Sequence, residues 1–528
     1  MEANRGATES IWTKTAEVPR RSALDENVQA DVCVIGAGIA GLTTAYFLAL
    51  AGQAVIVVDD GEIGGGETSR TTAHLVNALD ERYFEIERLH GQRGARLAAE
   101  SHTEAIRQIE SIVEKERISC EFKRLDGYLF GARAADAGIL DRELEAAHRA
   151  GLRGIERIGR APFTSFDTGP CLRFPDQGQL NPLLYLPGLA LAIERRGGRI
   201  YTRTHAAEIK GGTQACVKTS QGMAISARAI VVATNTPVND FVTMHTKQAA
   251  YRSYVIGVRV PRDSVTRGLY WDTLNPYHYV RLQSEADSDV LIVGGEDHKT
   301  GQAEDTADRF ARLAAWTRER FPMAQRELAY SWSGQVMEPV DGLAFIGKNP
   351  CDEPNVFIVT GDSGNGMTHG TIAGLLLTDL IQGRRNPWAA LYDPSRVTLG
   401  AAVRFTQENV NVAAQYADLF TGGDITSTGD LLPEAGAIMR QGLNKIAVYR
   451  DEHGVLHELE ASCPHLGCIV AWNPTEKTWD CPCHGSRFTA LGKVISGPAL
   501  VGLAPATWRQ VAARNRRSRV TAVRRRFQ

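Results

Sequence analysis

Two short boxes near the C-terminal end, CPHLGC from Cys463 and CPCHGS from Cys481, combine thiols and imidazoles in a fixed pattern. Cys463 and His465 are separated by one residue, Cys481 and His484 by two, and a fifteen-residue gap divides the pairs. That spacing suits a [2Fe–2S] cluster in which two thiolates hold one iron and two imidazoles the other, an exchange of ligands that raises the reduction potential. A structural zinc held by Cys463, Cys468, Cys481 and Cys483 is the competing reading, because zinc accepts four-thiolate sets. It lacks the usual C-x2-C knuckle and leaves both histidines without a role. The mixed cysteine and histidine cluster uses every unusual residue and predicts transfer of single electrons.

At the other end, DVCVIGAGIAGLTTAYFLALAGQAVIVVDD reads as strand, glycine turn, helix, strand. Gly36, Gly38 and Gly41 form G-x-G-x-x-G directly after an apolar run. Bare backbone there approaches a pyrophosphate, whose charge is met by the helix N-terminus. The second strand delivers Asp59, where a carboxylate bonds ribose hydroxyls and disfavours a 2′-phosphate. FAD and NAD share this phosphate physics, so the fingerprint alone leaves both open.

Later segments narrow the choice: GEIGGGETSRTTAHL after the first unit, IVVATNTP from Ile230, DGLAFIG from Asp341 and VFIVTGDSGNGMTHGTIAGLLL from Val356. In that order they resemble the glycine oxidase and D-amino-acid oxidase superfamily of FAD enzymes, in which the late glycine segment closes over the flavin. With SRTTAHL, NPYHYVRL, GGEDHKTG, WSGQVMEPVDGLAFIG and WNPTEKTWDCPCHGSRF, nearly the whole chain resembles the members of that superfamily that carry a C-terminal Rieske domain. The resemblance implies an α/β FAD-binding Rossmann-type domain with an antiparallel-sheet substrate subdomain, followed by a small all-β Rieske domain. It implies FAD bound near Gly36, Gly38, Gly41, Asp59, Thr68, Thr71, Thr72, Ala233, Thr234, Gly361, Gly364, Gly366 and Met367. It also implies a Rieske-type [2Fe–2S] cluster on Cys463, His465, Cys481 and His484, and a disulfide between Cys468 and Cys483. The late glycines could alternatively open a second NAD(P) unit, but no strand ending in an acid or arginine follows them at the expected distance.

The periodicities divide the chain into an extension (1–28), a flavin domain with discontinuous nucleotide and substrate layers (29–423), a Rieske domain (424–508) and a basic tail (509–528). Helical patterns cover about 81–117, 136–150 and 181–196. Strand-like runs at 254–260, 277–282 and 290–294 suit a sheet roofing the flavin, and short strands with turns such as DEHG and NPTEK describe the last domain. Composition is that of an ordinary globular protein, 43% hydrophobic and 23% charged. No apolar run reaches the length of a membrane span. The N-terminal segment lacks an apolar signal core, and Arg20-Arg21 is followed by none, so a cytoplasmic location is expected. Cys33, Cys120, Cys171, Cys216 and Cys351 are scattered and read as reduced thiols. Residues 509–528 hold eight arginines and no acid; with only Phe527 interleaved, this reads as a solvated tail rather than a nucleic-acid surface.

A flavin accepts electron pairs and a Rieske cluster single electrons, so their fusion predicts a two-to-one electron splitter, with a small-molecule substrate and an external protein or quinone acceptor. Amino-acid oxidases of the superfamily often place a carboxylate-binding arginine just before D-G-x-x-x-I-G; here GQVMEP holds none, which favours an amine-like substrate, although Arg281 could serve from elsewhere. In NPYHYVR, Tyr277, Tyr279 and Arg281 share one strand face and His278 takes the other. Tyr279 and Arg281 are catalytic candidates, as is His298, a potential base near neutrality. Some relatives attach flavin covalently through a histidine, a role open to His74, although its surroundings differ from theirs. A reductase module feeding an oxygenase and a redox sensor are the alternative functions. Ser486 can donate a hydrogen bond to a cluster sulfur, whereas Phe488 stands where high-potential Rieske proteins commonly carry tyrosine. One donor fewer places the potential below the respiratory type, within roughly −150 to +300 mV. Protein-film voltammetry of Phe488→Tyr is expected to show a higher potential than the native protein.

Overall fold

The computed structural model describes residues 6–132, 136–239, 243–325, 328–350 and 352–506. The basic tail and Cys351 lie outside the described residues. Among the described helices, none is long and apolar enough to cross a membrane.

Apolar runs buried on both faces build a parallel sheet in the order Val356–Thr360, Ala229–Val232, Val32–Ile35 and Val55–Val58, with the partly exposed Arg199–Tyr201 parallel beyond the last and Phe345–Lys348 antiparallel at the other edge. Burial on two faces is why these strands lack a polar alternation. Ile39–Leu50 lies between Pro182–Glu194 and Gly366–Ile381, and Tyr83–Glu116 also packs on Gly366–Ile381. The long helix departs from the single pattern over 81–117, because Gly91 adopts φ 71° and breaks it in two. The late glycine segment opens no second nucleotide unit: its strand, Val356–Thr360, belongs to the same sheet.

A nine-stranded sheet roofs this layer. Gln248–Val260 runs antiparallel between Leu328–Pro339 and Asp289–Lys299, and Tyr279–Ser284 follows beyond. These strands extend past the sequence limits because paired ladders continue through their polar ends. The helix Thr306–Arg320, unassigned by sequence, packs on Gln248–Val260 and Asp289–Lys299.

The C-terminal unit has a three-stranded sheet, Ala435–Gln441, Asn444–Arg450 and Leu456–Glu460, and a four-stranded one, Ala471–Asn473, Thr478–Asp480, Arg487–Thr489 and Val494–Ser496. The DEHG turn closes with Asp451 N donating to Val455 O at 3.0 Å. Ala435–Gln441 lacked a sequence assignment, and so did Ala402–Gln415, the helix leading from the flavin domain toward this unit.

A buried ionic cluster joins the two parts. Glu476, at 0% side-chain exposure, lies 3.2 Å from Arg252 of the roof and 3.4 Å from Arg70 of the flavin domain. It also accepts hydrogen bonds from the hydroxyls of Thr8, at 2.6 Å, and Ser333. Burial opposes ionisation of Glu476, but Arg70, Arg252 and Arg487 outweigh it and hold its pKa down at about 2. Removing the carboxylate leaves buried guanidiniums uncompensated, so Glu476→Ala is expected to lose about 3–5 kcal/mol in denaturant unfolding. A depressed carboxylate stabilises the fold above its unfolded pKa of about 4.3 and loses that contribution as pH falls toward 2. Acid unfolding curves of Glu476→Gln are expected to lack this component.

Candidate functional site

A cavity of about 890 Å³ opens between the C-terminal ends of the parallel strands and the roof, the position where open α/β sheets bind ligands. Gly36, Gly38, Asp59, Thr68, Thr71, Thr72, Ala233, Thr234, Gly364, Gly366 and Met367 line it. Gly41 and Gly361 do not. A Cβ on Gly41 would lie 1.8 Å from Gly36 O, so its glycine lets the helix rest on the turn. Gly361 has φ +72°, and a Cβ there would meet Pro339 at 2.7 Å. Asp59 accepts from Ala37 N at 2.6 Å and Gly61 N at 2.8 Å, which draws the turn around its carboxylate. Exposed glycine backbone at a helix N-terminus, an acid at the second strand end and a cavity of ligand size together fit a dinucleotide flavin.

The roof supplies the polar wall at the other end of the cavity. Tyr251, Ser253 and Val255 face inward from one strand. On its neighbour, a bulge sets Glu296 and Asp297 opposite Ser253 alone, between the pairs Tyr254↔Gly295 and Arg252↔His298. The extra residue inverts the alternation beyond Gly294, so Asp297 reaches the cavity and His298 turns away. This corrects the sequence expectation for His298. Its ring bonds Tyr254 Oη at 3.0 Å and Lys299 O at 2.8 Å, and burial lowers its pKa to about 4, away from a base near neutrality.

Arg281 also requires correction. It is fully buried beside the cavity and donates to Thr72 O at 2.8 Å, Ala73 O at 3.1 Å, Leu180 O at 3.2 Å and Gln283 Oε1 at 2.8 Å. Its Nη1 clamps the Thr72–Ala73 backbone, while its Nε is buried without a partner. Tyr279 does line the cavity, with its hydroxyl 2.7 Å from Ser253 Oγ. A Cβ on the facing Gly294 would lie 2.2 Å from the Tyr279 ring, so the glycine makes room for it. His74 lines the same cavity beside Thr72, its Nδ1 3.0 Å from Thr72 Oγ1, and burial lowers its pKa to about 3.

Residue type and spacing did not single out the acids gathered here: Asp80, Glu81, Asp297 and Glu338 all line the cavity. Burial raises Asp80 to about 6 and Asp297 to about 7, each further raised by a neighbouring carboxylate, and pushes Glu338 well above the usual range. Tyr277 donates to Asp80 at 2.7 Å, while Asp297 Oδ1 is screened from solvent without a hydrogen-bond partner.

The two C-terminal boxes form adjoining loops. Cys463 N donates to Cys468 O at 2.8 Å, and Cys481 N to Ser486 O at 2.8 Å, closing each loop on itself. The Cys463 and Cys481 thiols lie within hydrogen-bonding reach, the rings of His465 and His484 are 5.0 Å apart, and His484 Nδ1 is buried without a partner. Cys468 and Cys483 form a disulfide, which removes two sulfurs from any four-thiolate zinc set. A pair of neighbouring thiols and a pair of neighbouring imidazoles on adjoining loops fit a Rieske cluster. Ser486 is buried within reach of Cys463 and accepts from Ala499 N at 3.1 Å. Ala499, Arg487 and residues 494–497 line the flavin cavity, so the second domain forms part of its wall.

Comparison with known proteins agrees with both halves. The family model of FAD dependent oxidoreductases matches residues 31–380, and that of the Rieske [2Fe-2S] domain matches 425–507. The Bacillus subtilis protein YhfW, named for a Rieske 2Fe-2S iron-sulfur protein, is 32% identical over 501 residues, covering 94% of this chain and 96% of its own. Gamma-glutamylputrescine oxidoreductase of Escherichia coli is 27% identical over 377 residues, 68% of this chain and 85% of its own. The crystal structure of glycine oxidase from Geobacillus kaustophilus superposes with a TM-score of 0.60 at 18% identity, covering 70% of this chain and 100% of that one, a likeness of fold. The chain therefore belongs to the FAD dependent oxidoreductase family and carries a C-terminal Rieske [2Fe–2S] domain.

Proposed function

We propose that this protein oxidises a small cationic amine in the flavin cavity and passes the electrons singly through the cluster to an external protein or quinone. The observation that carries this reading is the shared wall: Ala499 lines the cavity and is hydrogen-bonded to Ser486, which reaches Cys463. Gly36, Gly38, Asp59 and the threonines of the 68–72 loop would hold FAD, and Cys463, His465, Cys481 and His484 the cluster. Bound FAD supplies two-electron oxidation of the carbon bearing the amine to an imine, and the cluster a one-electron outlet.

The acidic groups of the cavity, hydrogen-bond partners for an amine, support an amine over an α-amino acid. Asp80, Glu81, Asp297 and Glu338 converge near the inward-facing tyrosines, and Arg404 is engaged by Glu81 at 3.0 Å. The other lining arginines are committed too: Arg70 to Ser333 O and Glu476, Arg82 to backbone carbonyls, and Arg487 to Asp480. Each of these side chains is thus held by protein acceptors, although Arg487 Nη1 and Arg281 Nε are buried without a hydrogen-bond partner. The Escherichia coli relative is named for γ-glutamylputrescine.

Asp297 is placed to take the proton that an ammonium substrate must lose. Its raised pKa, about 7, keeps it basic enough to accept a proton near neutral pH. Tyr277 and Tyr279 wall the space, with Ser253 holding the Tyr279 hydroxyl.

Anaerobic mixing of the flavin- and cluster-loaded protein with amines, amino acids, hydroxy acids, NADH and NADPH, followed by visible spectra and EPR, tests the reading. An amine is expected to bleach the flavin first and then produce the reduced-cluster signal. Reduction by NADH or NADPH but by no amine would overturn it. Since Asp297 acts ionised, kcat/KM is expected to fall as pH drops below about 7. Asp297→Asn is expected to lower kcat/KM by about 10²–10⁴-fold and abolish that limb of the profile.

A further inference from the structure

Both imidazoles assigned to the cluster meet a third histidine from the flavin domain. His245, 3% exposed, precedes the roof strand Gln248–Val260. Its ring centroid lies 4.9 Å from that of His465, at 75°, and 5.7 Å from that of His484, at 60°. With His465 and His484 5.0 Å apart, the three rings form a closed triangle of crossed imidazoles, two on the cluster loops and one on the domain opposite. Crossed aromatic rings at these separations attract beyond simple area burial.

The surrounding contacts fix this approach. A Cβ on Gly485 would lie 2.4 Å from Ala250 Cβ, so the second loop meets the roof as closely as glycine permits. Gln335 Nε2 donates to Gly485 O at 3.0 Å, and Gln302 Nε2 to Pro482 O at 2.9 Å. On its other side, His245 is three residues from Gln248, whose Oε1 accepts from Thr360 Oγ1 at 3.1 Å. Thr360 lines the flavin cavity.

We propose that His245 is a positioning residue for the cluster: from the flavin domain it orients both imidazole ligands and shields them from water. The segment from His245 through Gln248 to Thr360 ties that orientation to the cavity wall. This inference rests on the reading of Cys463, His465, Cys481 and His484 as the ligand set. Partners outside the first ligand layer set ring orientation and thereby tune a metal centre. An ordinary core histidine filling a gap would affect stability and leave the electronic properties of the cluster unchanged.

The test uses the full-length, cofactor-loaded protein in four forms: native, His245→Ala, His245→Leu and Thr475→Ala. The last removes an interdomain hydrogen bond, Thr475 Oγ1 to Thr306 Oγ1 at 3.0 Å, outside the ring triangle. Iron and flavin contents, the EPR g-values after dithionite reduction, the midpoint potential and the rate of flavin-to-cluster electron transfer are measured. Both His245 variants are expected to shift the g-values and the potential and to slow transfer by about 10-fold or more, with Thr475→Ala native-like. Loss of iron from both His245 variants, with Thr475→Ala fully loaded, is the extreme form of that result. Native g-values and potential in a loaded His245 variant would overturn the proposal, as would an equal shift in Thr475→Ala. A native EPR signal typical of an all-thiolate cluster would instead remove the ligand assignment, so the two failures are told apart.

Discussion

The buried charge of Glu476 is the interaction on which the arrangement of this molecule depends. It reaches out of the C-terminal domain to Arg252 on the roof and Arg70 beside the flavin cavity, all three side chains almost wholly removed from water. Burying such charges is costly, and an apolar interface of the same size is often as stable. The ionic cluster specifies one docking geometry, because opposed charges tolerate little displacement in a low-dielectric setting. From that geometry follow the contact of the cluster loops with the roof and the entry of residues 494–497 and Ala499 into the cavity wall.

The cavity divides by charge according to the elements that build it. The glycine turn and helix N-terminus of the parallel layer suit phosphate. The roof and the 80–81 segment offer carboxylates and phenols, which suit a cation. One extra residue opposite Ser253 decides which side chain of the EDH segment enters the site, so a local backbone irregularity sets a chemical property of the whole cavity.

Much of this was legible in the chain. Nucleotide strands buried on both faces read as apolar runs, and the boxes at Cys463 and Cys481 state a ligand chemistry outright, since few structures need thiols and imidazoles at those spacings. The strands Ala435–Gln441 and Leu328–Pro339 and the helix Ala402–Gln415 were less legible, because their patterns depend on partners far along the chain. His298 and Arg281 were chosen for chemical type within promising strings, yet one faces away from the cavity and the other is bound to backbone carbonyls.

By itself, the sequence determined a dinucleotide fold and the cluster ligand chemistry through local spacing, with glycines at a turn, an acid at a strand end and ligands within two short loops, and the family and its FAD through the resemblance of a succession of segments. Only the tertiary structure decided that Asp297 replaces His298 in the cavity, that His245 meets both cluster imidazoles, and that Glu476 joins the domains. Each of these is a contact between segments tens to hundreds of residues apart, or the result of one bulged position. Neither leaves a periodic trace in the chain, since register and docking arise from the simultaneous packing of many elements.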